Sequence, residues 1–565
     1  MSTLSAGVHY DSCETLDFGS LPRTYASALY LLSLLPTNRD VTALFEMPKP
    51  KDGEGAPVDF NALAIPEVVA WMARAGYKDL PKDLAPLKCI HIAGTKGKGS
   101  VSAFATAILV EEAASGNTAV GRVGTYLSPH VISVRERIWL DGQPISRELF
   151  TKYVFELWVR LSEAAAIADP ADKDPFGAHT KPFYFRFLTL LAFHVFLREG
   201  VRSAVVECGI GGEYDATNIL PKSSVTAAVV TRLGIDHVAM LGRTLEEIAW
   251  HKAGVFKKGV AAITLQQDAP EAELDGKEAP PGESKKDREA ALHVLRIRAA
   301  KKKALALYAI SPDAVALWGG VPGAALPGAF QKYNMALAVV ATEHHIRTVS
   351  TRDGKSSDAA VIPFNPANIP ATSIVALSKA TLRGRCETIV DTSATTSVPI
   401  EYLVDGAHTA DSLREVARYF LARSDANEAS ARRFLLFSVR DRNPGDLLRA
   451  LMAGTGPGTD QVPKKHDDYF EHAIFVFPPE AVAAREDALR TMREVCPTTK
   501  SYICDSVPVA IGQIRALFAP PQEDPMGYLS GAPTGTPVQP RQVLATGSFV
   551  LVREVLQELD ADFED

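Results

Sequence analysis

Apolar and polar positions along the chain follow two rhythms, and the two alternate. Lys88 to Ala93 is a short run with Cys89, Ile90 and Ile92 as its apolar members, which predicts a strand. Ser100 to Glu112 (SVSAFATAILVEE) has apolar positions about 3.6 residues apart, which predicts a helix. The same succession returns downstream. Ala119 to Tyr126 reads as a strand, Lys181 to Glu199 as a strongly apolar helix, and Ser203 to Glu207 and Thr226 to Arg232 as buried strands. Further strands are predicted at Ile400 to Val404, Phe434 to Ser438, Ile474 to Phe477, Ser501 to Cys504 and Val543 to Thr546, each followed by a helix. Ahead of all this, residues 21–46 suggest two helices and Leu63 to Ala75 another. Strands alternating with helices imply an α/β fold built on mostly parallel sheets.

With 565 residues the chain exceeds one ordinary core, so more than one domain is expected. Two interruptions mark the boundaries. Gln267 to Arg288 is rich in proline, glycine and charge and reads as a disordered insertion, and residues 348–381 read as a linker. The expectation is an N-terminal P-loop ATPase domain over 1–347 and a C-terminal Rossmann-like α/β domain over 382–565, with a cleft between them. Gly454-Thr455-Gly456-Pro457-Gly458 leads into VPKKHDD rather than a helix, so a nicotinamide site is not expected.

Composition narrows the class. The chain is 46% hydrophobic and 22% charged, and no apolar run is long enough to span a bilayer. A net charge of −7 argues against a nucleic-acid surface, and Lys301-Lys302-Lys303 reads as a solvated helix face. Six scattered cysteines without a CxxC pair fit a reducing compartment and no zinc site. Asp11, Glu14 and Asp17 precede the first arginine, unlike a signal peptide or a mitochondrial presequence, so the cytosol is the expected location and a monomer the expected state.

The candidate chemistry sits at strand ends. Gly94, Thr95, Lys96, Gly97, Lys98, Gly99 and Ser100 lie between a strand and a helix, where backbone N–H groups can converge on an anion. Lys98 would reach terminal phosphates, with the Ser100 hydroxyl on Mg²⁺. The generic G-x-x-x-x-G-K-[ST] pattern is not met, because Gly97-Lys98 follows Gly94 too closely and Gly99 precedes Ser100; a flexible Gly/Lys loop is the plain alternative. Ser128 falls at the next strand end, near a metal, with Arg135 and Arg137 beyond it as anion contacts or as surface arginines. Glu207 ends a hydrophobic strand and is the first choice for holding Mg²⁺; Glu213 and Asp215 are more exposed alternatives. Asp236 and His237 follow a third strand. Thr244 and Glu247 spell a capping box for the helix that carries Lys252, which is read either as buried beside the site or as an exposed helical lysine. Gln331 and Asn334 share a face of one apolar helix and suggest either a ligand contact or helix capping and packing. In the second domain, Asp405-Gly406-Ala407-His408 and Thr546-Gly547-Ser548 put polar groups at the C-terminal sheet edge.

In their order, GTKGKGS, SPH (Ser128 to His130), ECGIGGEYDATN, GIDH, HKAG from His251, DGAHT and the final TGS resemble the folylpolyglutamate synthases of the Mur ligase superfamily, in their eukaryotic form. The resemblance implies an ATP-dependent ligase that adds L-glutamate to the γ-carboxylate of tetrahydrofolate or its polyglutamates through an acyl phosphate. It implies ATP on Gly94 to Ser100, two Mg²⁺ ions on Ser100, Ser128, Glu207 and His237, and leaves room for a monovalent cation. By the same resemblance Lys98, His237 and Lys252 are catalytic, Lys252 matching a lysine carbamylated in some members. Gln331 and Asn334 match the adenine-side helix, Arg385 and Asp405 nucleotide contacts of the second domain, and His408 and Ser548 positions near the incoming glutamate. Arg135 and Arg137 are assigned to folate. Three departures stand out: Leu127 before SPH, Arg383 where proline is usual, and Val439 where glycine is usual. The rival activities on the same scaffold are a dihydrofolate synthase, alone or bifunctional, and an inactive folate-binding protein.

Overall fold

The computed structural model describes residues 18–37, 60–267, 282–326, 328, 330–351, 361–392, 399–427, 432–440, 442–454, 469–518 and 541–559. They form two compact units. One comprises Met1–His130, Val134–Pro322 and Phe330–Ala380; the other Val131–Ser133, Gly323–Ala329 and Thr381–Asp565.

The first unit is built on an eight-stranded sheet in the order β4-β3-β2-β5-β1-β6-β7-β8. Its strands are β1 (Lys88–Ala93), β2 (Arg122–Tyr126), β3 (Ile138–Leu140), β4 (Gln143–Pro144), β5 (Val201–Glu207), β6 (Val225–Val230), β7 (Ala261–Leu265) and β8 (Leu307–Ile310). From β2 to β8 the pairing is parallel, and β3 and β4 add an antiparallel edge. Helices α1 (Tyr25–Ser33), α2 (Phe60–Arg74), α3 (Lys98–Ala114), α4 (Arg147–Ala168), α5 (Tyr184–Arg198), α6 (Leu245–Lys252), α7 (Lys285–Lys301), α8 (Gln331–Ser350) and α9 (Ala371–Lys379) belong to this unit. A strand covered on both faces reads as continuously apolar, and β6 (VTAAVV) is buried at every position. His91 is the polar exception inside β1: its Nε2 lies 2.8 Å from the Thr217 hydroxyl, and burial lowers its pKa to about 3, so it is a neutral core residue.

Register places the site. Ile92 pairs with Glu207 on β5 and Ala93 with Val230 on β6, so three strand ends meet where β1 runs into its glycine turn. The connection from β1 runs toward β2 and that from its neighbour β6 toward β7, in opposite directions, and this is the position at which open α/β sheets bind ligands.

The second unit has six strands in the order β13-β12-β11-β14-β10-β9. These are β9 (Glu387–Asp391), β10 (Ile400–Asp405), β11 (Arg432–Phe437), β12 (His472–Val476), β13 (Lys500–Cys504) and β14 (Arg541–Thr546). All pair in parallel except β9, an antiparallel edge that the sequence pattern did not predict. Alternate residues feed two cores. Leu403, Leu435, Phe437 and Leu544 face one layer, while Tyr402, Val404, Phe434 and Val543 face the other. Helices α10 (Ala410–Asn427), α11 (Pro444–Ala453), α12 (Val482–Val495), α13 (Val507–Phe518) and α14 (Phe549–Leu559) complete the unit.

Two expectations change. The span read as a linker over 348–381 holds helix α9, whose Thr372 hydroxyl bonds Glu112 on α3 at 2.5 Å; α9 belongs to the first unit. Its amphipathic run (ATSIVALSK) is short and flanked by Pro370, which hid it in a polar stretch. The insertion is narrower than predicted: Gln267 is buried, α7 is capped by Ser284, and 268–281 lie outside the described residues. The second helix predicted within 21–46 also falls largely outside them. Among the described residues no helix is long and apolar enough to cross a membrane.

Candidate active site

The turn after β1 is held open by backbone geometry that only glycine takes without strain. Gly94 has φ +149° and Gly97 φ +90°. A Cβ on Gly94 would lie 1.8 Å from the Thr231 hydroxyl, and one on Gly97 2.3 Å from Asn334 Oδ1. Thr231, just past β6, was not singled out from the sequence. Its hydroxyl donates to Lys96 O at 2.7 Å, while Thr95 N and Lys96 N both donate to Arg232 O at 3.1 Å. A hydroxyl one residue beyond a buried strand that flanks a glycine turn is the signal that could have found it. Gly97→Ala should destabilise the fold by about 1–3 kcal/mol, from the left-handed φ and the clash together. The check is an unfolding curve alongside the KM for ATP, which should rise.

Two ammonium groups converge below this turn. Lys98, the first residue of α3, and Lys252, the last of α6, both donate to the Gly94 carbonyl, at 3.0 and 2.7 Å. The capping box expected at Thr244 and Glu247 is present and fixes the start of α6. Burial first, and the Lys98 charge second, lower the Lys252 pKa from 10.5 to about 7. Between about pH 7 and 10 the unfolded chain therefore binds the extra proton, and stability from this residue rises with pH across that window. Below pH 7 both states carry the proton and the cost of the buried charge is fully present. The buried Lys181 shifts the same way, so the measurement is a difference. From pH 6.5 to 9.5 the melting temperature of the parent chain should gain on that of Lys252→Met; parallel curves would contradict the assignment.

Glu207 ends β5 with 3% of its surface exposed, and its Oε2 accepts the Ser128 backbone N–H at 3.2 Å. The structure thus brings Ser128 and Glu207 together. His237 starts the short helix Val238–Leu241 in a left-handed conformation, with its side chain 45% exposed and Asp236 3.7 Å away. Among the described residues no group of three or more His, Cys, Asp or Glu side chains is placed to hold a metal ion. The sequence-derived set contains only two such side chains. Its hydroxyl and carboxylate oxygens nonetheless suit Mg²⁺, a hard cation that keeps much of its water.

Glu213 and Asp215, the exposed alternatives, prove structural. Glu213 pairs with Arg298 and with Lys302. Asp215 is 6% exposed and accepts from Gly209 N, Ile210 N, Thr217 N and the Thr217 hydroxyl at 2.6–3.0 Å, fixing the loop that follows Glu207. Burial pushes its pKa up, against the pull of those bonds.

Gln331 and Asn334 do act together. Asn334 Nδ2 donates to Gln331 Oε1 at 2.8 Å, and Gln331 Nε2 to the Ser100 hydroxyl at 3.3 Å. With Asn334 also against Gly97, α8 seats both amides on the phosphate loop itself. Arg135 donates to Ile145 O at 3.1 Å, and Arg137, 8% exposed, donates to His130 Nδ1 at 2.9 Å. These arginines brace the segment after SPH. Leu127 is 4% exposed and Val439 7%, so both departures are core residues.

In the second unit, Asp405 ends β10 beside Thr546 of β14. Its carboxylate accepts Cys386 N at 2.8 Å and Ala407 N at 2.7 Å, tying the Gly384–Cys386 turn to the DGAHT loop. Phe549 gathers the remaining candidates. The Arg385 guanidinium lies 4.5 Å from its ring centroid and the His408 ring 5.8 Å, and Ser548 caps α14 through Leu551 N at 3.2 Å. Asp405 is thus a brace, while Arg385, His408 and Ser548 share one edge.

No protein-family model matches the chain. The probable folylpolyglutamate synthase of Schizosaccharomyces pombe is 38% identical over 484 residues, 84% of this chain and 81% of that protein. The chain belongs to the folylpolyglutamate synthase family. The folylpolyglutamate synthase of Saccharomyces cerevisiae strain AWRI796 is 35% identical over 401 residues, a match spanning 70% of this chain and 64% of that protein. Solved structures agree on the fold. The Thermotoga maritima folylpolyglutamate synthase superposes with a TM-score of 0.57 at 21% identity, covering 89% of this chain and 99% of its own. The Mycobacterium tuberculosis folylpolyglutamate synthase complexed with ADP gives 0.57 at 21%, covering 95% and 100%.

Proposed function

We propose that this chain is an ATP-dependent ligase joining L-glutamate to the γ-carboxylate of tetrahydrofolate and its polyglutamates, releasing ADP and phosphate. The observation that carries the proposal is the juxtaposition, in a member of this family, of a glycine turn, Lys98 and the buried Glu207 at one sheet edge. A carboxylate is a poor electrophile, so the γ-phosphoryl group of ATP is first moved onto it. The bond to the ADP oxygen breaks as the acyl phosphate forms. Lys98 and the N–H groups at the start of α3 balance the charge on the phosphoryl oxygens. The glutamate amine then attacks the acyl carbon, phosphate leaves, and one proton is released. Ser100, Ser128, Glu207 and His237 are the residues we assign to Mg²⁺, which when bound supplies further positive charge at the phosphates.

Lys252 holds the Gly94 carbonyl and so shapes the turn; with a pKa of about 7 it is partly neutral at physiological pH, the form that a carbamate requires. Arg385 is assigned to the nucleotide and His408 and Ser548 to the incoming glutamate. The test is ADP release followed by a coupled assay. Release that requires both the folate and the amino acid fits a ligase. Sustained release with neither the folate nor the amino acid present would make the chain a simple ATPase and reject the proposal.

A further inference from the structure

The segment Thr231 to Ile235, between β6 and His237, bonds on two sides in alternation. Toward the phosphate loop, Thr231 Oγ1 donates to Lys96 O, Arg232 O accepts Thr95 N and Lys96 N, and Gly234 O accepts the Thr95 hydroxyl at 3.0 Å. On the other side, Leu233 N donates to Gln267 Oε1 and Ile235 N to Glu283 Oε1, both at 2.9 Å. Gln267 is 3% exposed and is oriented in turn by Nε2 bonds to the Thr264 hydroxyl and Leu265 O. Glu283 is 5% exposed and pairs at 2.9 Å with Arg288, itself 4% exposed. The two grips come from the chain on either side of the 268–281 insertion, and they meet backbone N–H groups two residues apart.

We propose that Gln267 and Glu283 are positioning residues for catalysis: they clamp Leu233 to Ile235, and through that splint fix the phosphate loop and the start of the Asp236-His237 turn. Neither reaches the reacting atoms. A buried side-chain acceptor that holds one backbone N–H restricts the turn, and two in series restrict it further. The inference rests on the ligase reading for its kinetic consequence and on geometry alone for its structural one.

The experiment compares the full-length chain with Gln267→Ala, Glu283→Ala and the conservative Glu283→Gln. ADP binding is measured by calorimetry, KM and kcat with ATP and with glutamate, and hydrogen exchange at the Leu233 and Ile235 amides. Each alanine variant should weaken ADP binding and raise the KM for ATP about tenfold, with the KM for glutamate unchanged. Exchange should quicken at the amide that lost its acceptor, and Glu283→Gln should recover the affinity only in part, because its single amide oxygen can serve Ile235 N or Arg288 but not both. Glu283→Ala strands the Arg288 charge and can fail to fold; Gln267→Ala strands none and decides the matter by itself. A folded Gln267→Ala chain with parental ADP affinity and parental exchange at Leu233 overturns the proposal. If the parent chain binds ADP yet makes no γ-glutamyl product, the ligase reading falls, and the binding and exchange results still judge the clamp.

Discussion

Replacing Lys98 with alanine should lower kcat by about 10²–10³-fold, the range found when one preorganised donor to a developing oxyanion is removed. The residue opens α3, where the N–H groups of the first turn have no partner within the helix, and its ammonium bridges back to the Gly94 carbonyl at 3.0 Å. It is therefore held at the turn before any substrate arrives, and its charge needs little reorganisation during phosphoryl transfer. The same position makes the substitution cheap for the fold. The lost bond is one partly buried contact, and the Gly94 carbonyl keeps its bond from Lys252 at 2.7 Å. Steady-state rates at saturating ATP, beside a thermal melt, check both halves of the expectation. A fall of less than tenfold would remove Lys98 from the chemistry.

The second large effect is expected at Glu207. Glu207→Gln keeps the volume and keeps an acceptor for Ser128 N, so the packing at the end of β5 should survive. What goes is a negative charge held almost wholly out of water, the charge assigned to Mg²⁺. We expect kcat to fall by about 10²-fold and the Mg²⁺ concentration for half-maximal rate to rise. Titration of the rate with MgCl₂ is the readout. An unchanged Mg²⁺ midpoint would move the metal away from Glu207 even if the rate fell.

Much of this architecture was legible in the residue pattern because parallel strands buried on both faces leave continuous apolar runs. β1 was predicted over Lys88 to Ala93 with the bounds it has, and Glu207 was placed at the end of its strand. Glycine signals were equally direct: Gly94 and Gly97 adopt backbone angles that their neighbours in sequence could not share. Edge elements were lost. β9 (ETIVD) is only five residues long and does not alternate apolar with polar positions, and α9 is nine residues in a polar stretch. Side-chain roles were harder still, because they depend on partners distant in sequence. Asp215 looked exposed beside glycines, yet four donors from its own loop bury it. Asp405 reads from the sequence as a ligand contact at a strand end, and only the structure shows that its carboxylate also ties Cys386 to Ala407. Gln267 and Glu283 sat inside a span whose composition pointed to disorder, which averaged away the two residues that grip the Leu233 to Ile235 backbone.

The central claim is the ligation itself, and one measurement reaches it most directly. The purified chain is given ATP, Mg²⁺ and labelled L-glutamate, with tetrahydrofolate in one reaction and dihydropteroate in another, and products are separated by chain length. The account predicts labelled γ-glutamyl tetrahydrofolate and no product from dihydropteroate. Label on dihydropteroate alone would make the chain a dihydrofolate synthase, and no label on either substrate would contradict the account.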